Sequence, residues 1–295
     1  KKSNFQIYVN EHKDPHISAL EDGEPELFAS LRRSHEQNAC ALAVVRRVLE
    51  RRKWRSRWVY RARREVRRQV DLVIAVGGDG TLLEAARQIR DQTPLLGVNS
   101  SPSFSVGHLL TSNAEQFEET LDLWERGALD CHVLSRMQVS VDQRRVPVWA
   151  LNDVLFCHPN PAATSRYEIA FEEQREQHRS SGIWVSTAAG STAAMCSAGG
   201  SVMDWGDGRL QFRVRELYRN GEELALESGF VMPASTLACV SHMRKAYLYI
   251  DGPWTREVVH FGQEVVFSQA PQPLHLLMNG SRSKRCVWEA DGLAG

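Results

Sequence analysis

The stretch Val70-Asp71-Leu72-Val73-Ile74-Ala75-Val76-Gly77-Gly78-Asp79-Gly80-Thr81 constrains the fold more than any other part of this chain. An apolar run rich in β-branched residues ends in a glycine cluster that holds one carboxylate, and an amphipathic segment follows at once. The spacing predicts buried strand, tight turn, helix. Residues 72–76 lack polar alternation, as expected of a strand covered on both faces in a parallel sheet. Beyond the turn, Leu82, Leu83, Ala86 and Ile89 fall on one helical face, and Glu84, Arg87 and Arg90 are expected to face solvent.

The glycines around Asp79 permit positive φ angles and close approach of another molecule to the backbone. Their amides and the start of the helix form a natural anion site, so phosphate is the leading candidate ligand. Asp79, an acid placed among groups that attract phosphate, suits a base or a metal partner. The segment is neither a Walker A loop, which needs Gly-Lys-Ser/Thr, nor a dinucleotide fingerprint. Gly-Gly-Asp-Gly alone also fits a plain strand-to-helix turn with a solvated aspartate.

A chain of 295 residues with 42% hydrophobic content can bury one large or two moderate cores. Its 36 basic and 36 acidic side chains balance, so net charge calls for neither nucleic acid nor an anionic membrane. No apolar run approaches the roughly 18 residues of a membrane span. The six cysteines are scattered without Cys-x-x-Cys spacing and read as free thiols of an intracellular protein. The histidines form no zinc-binding pattern, and no structural metal is expected. A cytoplasmic location is expected, with a removed targeting segment left open because the sequence starts at Lys1 without methionine. Arginines crowd around Trp54, Trp58 and Tyr60 in residues 46–68, which raises a nucleic-acid surface. Arginine stems lying over apolar surface give the same pattern. Arginine exceeds lysine throughout the chain, so no nucleic-acid partner is assigned.

Residues 5–9 read as a short strand, 11–25 as a polar loop and 38–51 as a helix. A second short apolar strand closes on Gly97-Val98-Asn99, and a helix capped by Asn113 is expected over 113–126. Alternating strands and helices make residues 1–127 an α/β domain with a mainly parallel sheet. Residues 128–270 then read as a β-rich, sandwich-like domain. Its strands are expected at 133–141, 146–156, 166–171, 183–186, 210–214, 246–250 and 264–267, with Asp251-Gly252 at a hairpin turn. Residues 271–295 show no clear pattern and could return to the first domain.

Two further segments could carry chemistry. Leu151-Asn152-Asp153-Val154 sets an amide beside a carboxylate, a combination suited to base nitrogens and sugar hydroxyls, although an ordinary turn would look the same. The run from Ser180-Ser181-Gly182 through Ser186-Thr187-Ala188-Ala189-Gly190-Ser191-Thr192-Ala193 to Ser197-Ala198-Gly199-Gly200 offers small residues and hydroxyls. It would suit a flat ligand with polar edges, or equally a tightly packed helix pair. A Gly-x-Ser-x-Gly elbow is absent, so a serine hydrolase has little support.

In this order and at these intervals, the motifs resemble the NAD kinase family, over roughly residues 70–270, with Gly97-Val98-Asn99 and Asp251-Gly252 matching as well. The wording Leu-Asn-Asp-Val, Ser-Ser-Gly and Ser-Thr-Ala-Ala-Gly-Ser-Thr-Ala-Ala-Met is most similar to the plant-type NADH kinase branch. The resemblance implies ATP-dependent phosphorylation of the 2′-hydroxyl of the adenosine ribose of NADH or NAD⁺, with Mg²⁺ on the nucleotide phosphates and a site between the two domains. It makes Asp79 the base, and Gly77, Gly78, Gly80 and Thr81 the phosphate pocket. Asn152 and Asp153 would hold adenine or ribose, Thr192, Ala193 and Ser197 would line the adenosine pocket, and Ser181 would lie near the nicotinamide. It also implies a homodimer or larger assembly, with Ser181 facing a neighbouring subunit's site, and leaves open polyphosphate as a second donor. A lipid kinase of the diacylglycerol or sphingosine type shares Gly-Gly-Asp-Gly-Thr, but should lack the 186–193 segment.

The chain departs from the common family pattern at three positions. Asp153 replaces the usual glutamate, Ala194 stands where many members carry tyrosine, and Ser181 where many carry aspartate. The last change is expected to weaken selection for the positive ring of NAD⁺ and to favour NADH.

Overall fold

A computed structural model describes residues 2–60, 70–219, 221 and 223–279. Contacts divide the chain into two units. The first contains residues up to Ala85, Thr93–Cys131 and the stretch from Leu276, and the second contains Ala86–Gln92 and His132–His275.

The first unit is built on parallel pairing. Strand Val73–Gly77 runs beside Leu95–Asn99 in register from Val73↔Leu95 to Gly77↔Asn99. Leu276 and Leu277 pair with Leu95 and Leu96 on the other side, and Ser112–Asn113 joins at Val98 and Asn99. Every residue of Leu95–Asn99 is buried, as an uninterrupted apolar strand requires. Helix Pro25–Arg51 places Ala41, Val45, Val48 and Leu49 along one buried stripe. Val45, Val48 and Leu49 pack with Val76, Leu96, Val98, Phe117, Leu121 and Leu277 in one core.

Residues 5–9 are not a strand: Gln6–Glu11 is π-helical and buries no residue, so the Phe5-Ile7-Val9 alternation reflects no sheet face. The expected loop at 11–25 holds two short helices, Pro15–Ser18 and Leu20–Gly23, the first capped by Asp14 accepting from the His16 amide. The long helix starts at Pro25, whose missing N–H costs nothing in a first turn. The later helix is Phe117–Glu125; Asn113 precedes it and accepts from the Glu115 and Gln116 amides at 3.0 Å each. The arginine-aromatic stretch runs into residues 61–69, outside the described residues; within it Arg46 lies 4.9 Å over Trp58, and Arg52 is ion-paired with Asp122 and Glu125.

The second unit holds two six-stranded sheets whose pairings are antiparallel. One sheet orders Ser228–Val231, Leu210–Val214, Ile183–Ser186, Asp153–Cys157, Lys245–Ile250 and Arg256–His260. The other orders Arg144–Ala150, Met137–Val141, Glu264–Gln269, Leu237–Ser241, Ser165–Phe171 and Gln174–Ser180. Side chains of both sheets, among them Phe156, Phe212, Leu248, Tyr167, Ile169 and Phe267, form one core. The two continuous strands expected at 133–141 and 146–156 are each broken in two. The second break, at Leu151-Asn152, is where the chain passes from one sheet to the other.

Free thiols are found at Cys40, Cys131, Cys157 and Cys239, but Cys196 is disulfide-bonded, so the expectation that every cysteine is a free thiol fails there. Among the described residues no helix is long and apolar enough to cross a membrane.

Candidate functional site

In the first unit, strand Val73–Gly77 delivers Gly77 and Gly78, and Asp79 opens helix Asp79–Ala86. The Asp79 carboxylate bridges to the following loop, Oδ2 accepting from the His108 amide and Oδ1 from the Leu109 amide at 3.0 Å each. Gly107, at φ +67°, lets that loop turn: a Cβ there would stand 2.8 Å from Asn99 Nδ2. Asn99 in turn donates to the Ser105 carbonyl at 3.0 Å. The acid is therefore oriented by backbone donors, and one lone-pair direction of each oxygen is already committed.

The motif glycines do not adopt the expected left-handed conformation; Gly77, Gly78 and Gly80 are absent from the positive-φ glycines. Close packing explains two of them. A Cβ on Gly77 would meet Thr81 Oγ1 at 2.3 Å, and one on Gly78 would meet Ser105 Oγ at 3.1 Å. Gly80 faces open space. Thr81 Oγ1 is buried and has no protein hydrogen-bond partner among the described residues.

In the second unit, Leu151, Asn152 and Asp153 are pinned from two sides. Their amides converge on the Asp251 carboxylate, at 3.0 Å from Leu151, 2.7 Å from Asn152 and 3.3 Å from Asp153. On the carbonyl side, the Thr187 amide donates to Asn152 at 2.9 Å and the Thr187 hydroxyl donates to Leu151. Gly190 is required by this contact, because a Cβ would lie 2.1 Å from the Asn152 carbonyl oxygen. The Ser191 hydroxyl donates to the Ala188 carbonyl at 2.7 Å and accepts from the Met203 amide at 2.9 Å, closing the turn that leads to Thr192 and Ala193. Thr192 and Ala193 are half-buried and Ser197 is exposed. Asn152 Oδ1 is buried without a protein partner among the described residues, so its acceptor is held in place but not used by the fold.

Asp153 is buried, and burial pushes its carboxyl up to about 7, with the Asp251 charge adding to the shift. Burial raises Asp251 as well, opposed by the Arg87 guanidinium and the three amides. In the unfolded chain Asp153 releases its proton near 3.8, whereas the fold retains it to about 7. Its contribution to stability is therefore full below the unfolded value and is lost as pH rises through the folded one. The unfolding midpoint of the wild type is expected to fall more than that of Asp153→Asn between about pH 5 and about pH 8. Equal falls would contradict the assignment.

Ser181 is not brought together with these groups within one chain. It precedes strand Ile183–Ser186, whose far end, Ser186, pairs with Asp153. Five residues at roughly 3.3 Å each separate the two ends by about 16 Å. Ser181 instead borders an open recess of about 320 Å³, lined also by Arg166, Arg179, Glu216 and Tyr218.

Sequence reasoning missed Arg87. It is only 6% exposed, contrary to the solvent-facing position that helical periodicity gives it, because the helix ends at Ala86. Its Nε lies 3.5 Å from Asp251 Oδ2.

A family model described as the ATP-NAD kinase N-terminal domain matches residues 18–128. A probable NADH kinase of Oryza sativa subsp. japonica is 36% identical over 240 residues, spanning 72% of this chain and 74% of its own. An NADH kinase of Arabidopsis thaliana is 36% identical over 234 residues, with the same 72% and 74% coverage. Among solved structures, an NAD kinase from Archaeoglobus fulgidus in complex with ATP superposes with a TM-score of 0.65 at 21% identity, covering 81% of this chain and 89% of that one. Yeast NADH kinase complexed with NADH gives a TM-score of 0.63 at 15% identity and covers 72% of this chain; the match spans 64% of the yeast protein, just under two thirds. These relatives are NAD and NADH kinases, and the lipid kinase alternative gains no support from them.

Proposed function

Because the chain belongs to the NAD kinase family, we propose that it is an NAD(H) kinase that transfers the γ-phosphoryl group of ATP to the 2′-hydroxyl of the adenosine ribose of NADH or NAD⁺. The membership, at 36% identity over 72% of the chain, is the observation that carries this reading. In it Asp79 takes the hydroxyl proton, the 2′-oxygen forms its bond to phosphorus, and the bond from phosphorus to the bridging oxygen of ADP breaks. Phosphoryl transfer asks little covalent help of a protein and depends on alignment and charge. The two backbone donors on Asp79 support such alignment. Gly77, Gly78, Gly80 and Thr81 serve the phosphates, with the open face of Gly80 and the unused Thr81 hydroxyl as support. Asn152 and Asp153 hold adenine or ribose, supported by the unused acceptor of Asn152, while Thr192, Ala193 and Ser197 line the adenosine pocket.

Magnesium enters the proposal as a companion of ATP. A cation held chiefly by phosphates needs one or two carboxylates and retains waters. Asp79, the carboxylate of the Gly77–Thr81 segment, fits that demand with the lone pairs its two amide contacts leave over. The ion would neutralise phosphate charge. A cytoplasmic homodimer or larger assembly completes the reading, and Trp254 and Phe261, 79% and 69% exposed at opposite ends of the pair Lys245–Ile250 and Arg256–His260, offer it two separate apolar contacts.

In a dimer, Ser181 would serve the neighbouring subunit's substrate, which accords with its distance from Asn152 in the same chain. A unit charge pair at about 4 Å is worth on the order of 4 kcal/mol near a protein surface before desolvation. Losing a fraction of that moves preference about tenfold. Incubation with ATP, Mg²⁺ and NADH, NAD⁺ or diacylglycerol tests the activity, and only the two dinucleotides are expected to be phosphorylated. In the same assay Ser181→Asp is expected to shift the ratio of kcat/KM values toward NAD⁺ by about tenfold. An unchanged ratio would remove Ser181 from the selectivity argument.

A further inference from the structure

Leu151 and Asn152 lie where the chain leaves strand Arg144–Ala150 in one sheet and enters Asp153–Cys157 in the other. A corner between sheets has no ladder partner to fix its backbone. Here three consecutive amides are gathered by one carboxylate, that of Asp251, which sits at φ 48° directly after strand Lys245–Ile250. Such a cluster of amides is a ready anion site, and the fold fills it with its own side chain. Arg87 faces this carboxylate, with Nε 3.5 Å from Oδ2, and also donates to the Asp251 carbonyl at 2.8 Å and to the Thr255 hydroxyl. The side chains of Arg87 and Asp251 are 5% and 0% exposed, so the pair is shielded from water.

Arg87 is itself anchored by its surroundings. The Arg136 guanidinium donates to the Ala86 and Ile89 carbonyls at 3.2 and 2.8 Å, and to Gln272 and Pro273 at 3.0 and 3.1 Å. The buried Arg136 thus clamps the segment that carries Arg87. Isolated, a buried ion pair of this kind adds little net stability over apolar packing. What it adds here is a fixed position for the amides of Asn152 and Asp153.

We propose that Asp251, with Arg87 as its counter-ion, is a positioning residue for nucleoside recognition, setting the corner from which Asn152 and Asp153 present their side chains. The role rests on the reading of those two residues as nucleoside contacts. It separates binding of the dinucleotide from binding of ATP. In the full chain, Arg87→Met and Asp251→Asn are expected to raise KM for NADH by about tenfold or more while KM for ATP stays within about twofold. Arg87→Lys, which keeps the charge, is expected to return KM for NADH to within about threefold of wild type.

KM values that rise together, or a KM for NADH that does not rise, would overturn the positioning role. Should neither stronger variant fold, Thr255→Val removes one acceptor of Arg87, and a selective rise in KM for NADH supports the role while an unchanged value overturns it. A wild-type chain inactive toward both dinucleotides would overturn the functional reading and this role with it. An active wild type with unselective variants overturns this role alone.

Discussion

Asp79→Asn is expected to lower kcat by roughly 10²- to 10⁴-fold, the usual worth of a positioned base. The substitution keeps the shape of the side chain but removes the ability to take a proton. It also disturbs the loop, because an amide has one acceptor oxygen and Asp79 accepts from both His108 and Leu109. The Nδ2 group would then face an amide donor, a loss of about 1–3 kcal/mol for an unsatisfied pair. The two roles have different signatures. A loop anchor alone would raise KM for ATP and lower the unfolding midpoint while kcat stayed close to wild type. A base would cost kcat itself at saturating ATP and NADH. Steady-state kinetics at saturation, read beside thermal unfolding, decide between them, and a kcat within about threefold of wild type would remove Asp79 from the chemistry.

What could be read in advance follows from which forces are local. Strands 183–186 and 210–214 match Ile183–Ser186 and Leu210–Val214 because apolar side chains bounded by turn residues state their own boundaries. Gln174–Ser180 could not be seen that way. Its sequence, Gln-Arg-Glu-Gln-His-Arg-Ser, is polar throughout, and it is a strand because it pairs at the sheet edge with Ser165–Phe171. The converse error lies at residues 5–9, where apolar alternation is present without a neighbouring strand to use it.

The same division runs through the candidate site. Asp79, Asn152 and the 186–193 segment stand out because each combines glycine or small residues with polar groups over a few positions. Arg87 does not, since its burial depends on Asp251, 164 positions away. Asp251 was visible only as a turn residue, and its work on three amides is a property of the folded corner. The glycines of the motif were expected to supply backbone freedom. At Gly77 the fold uses the absence of a side chain instead, to admit Thr81.

Gly190→Ala carries that lesson to the second half of the site. A Cβ at this position would lie 2.1 Å from the Asn152 carbonyl oxygen, 2.4 Å from its carbon and 2.7 Å from its Cα. All three are backbone atoms, and the Thr187 amide already holds that carbonyl at 2.9 Å, so the clash cannot be relieved by turning a side chain. Either the 188–192 turn or the Asn152 corner must move. A loss of about 3 kcal/mol or more is expected, at the upper end for overpacking. For a body the size of the second unit, Ala86–Gln92 with His132–His275, that corresponds to a fall of roughly 6–12 °C in its unfolding midpoint. Displacement of Asn152 should accompany it as a rise in KM for NADH of about 100-fold. Gly80→Ala is the matched control, because Gly80 lies in a helix, takes no positive φ and has open space where a Cβ would go. Its unfolding midpoint should stay within about 2 °C of wild type. If phosphate occupies that space, Gly80→Ala will instead raise KM for ATP. Loss of dinucleotide binding in one variant and of ATP binding in the other, with only the first destabilised, would assign the two glycines to packing and to ligand contact respectively. Equal unfolding midpoints for the two variants would refute the steric account of Gly190.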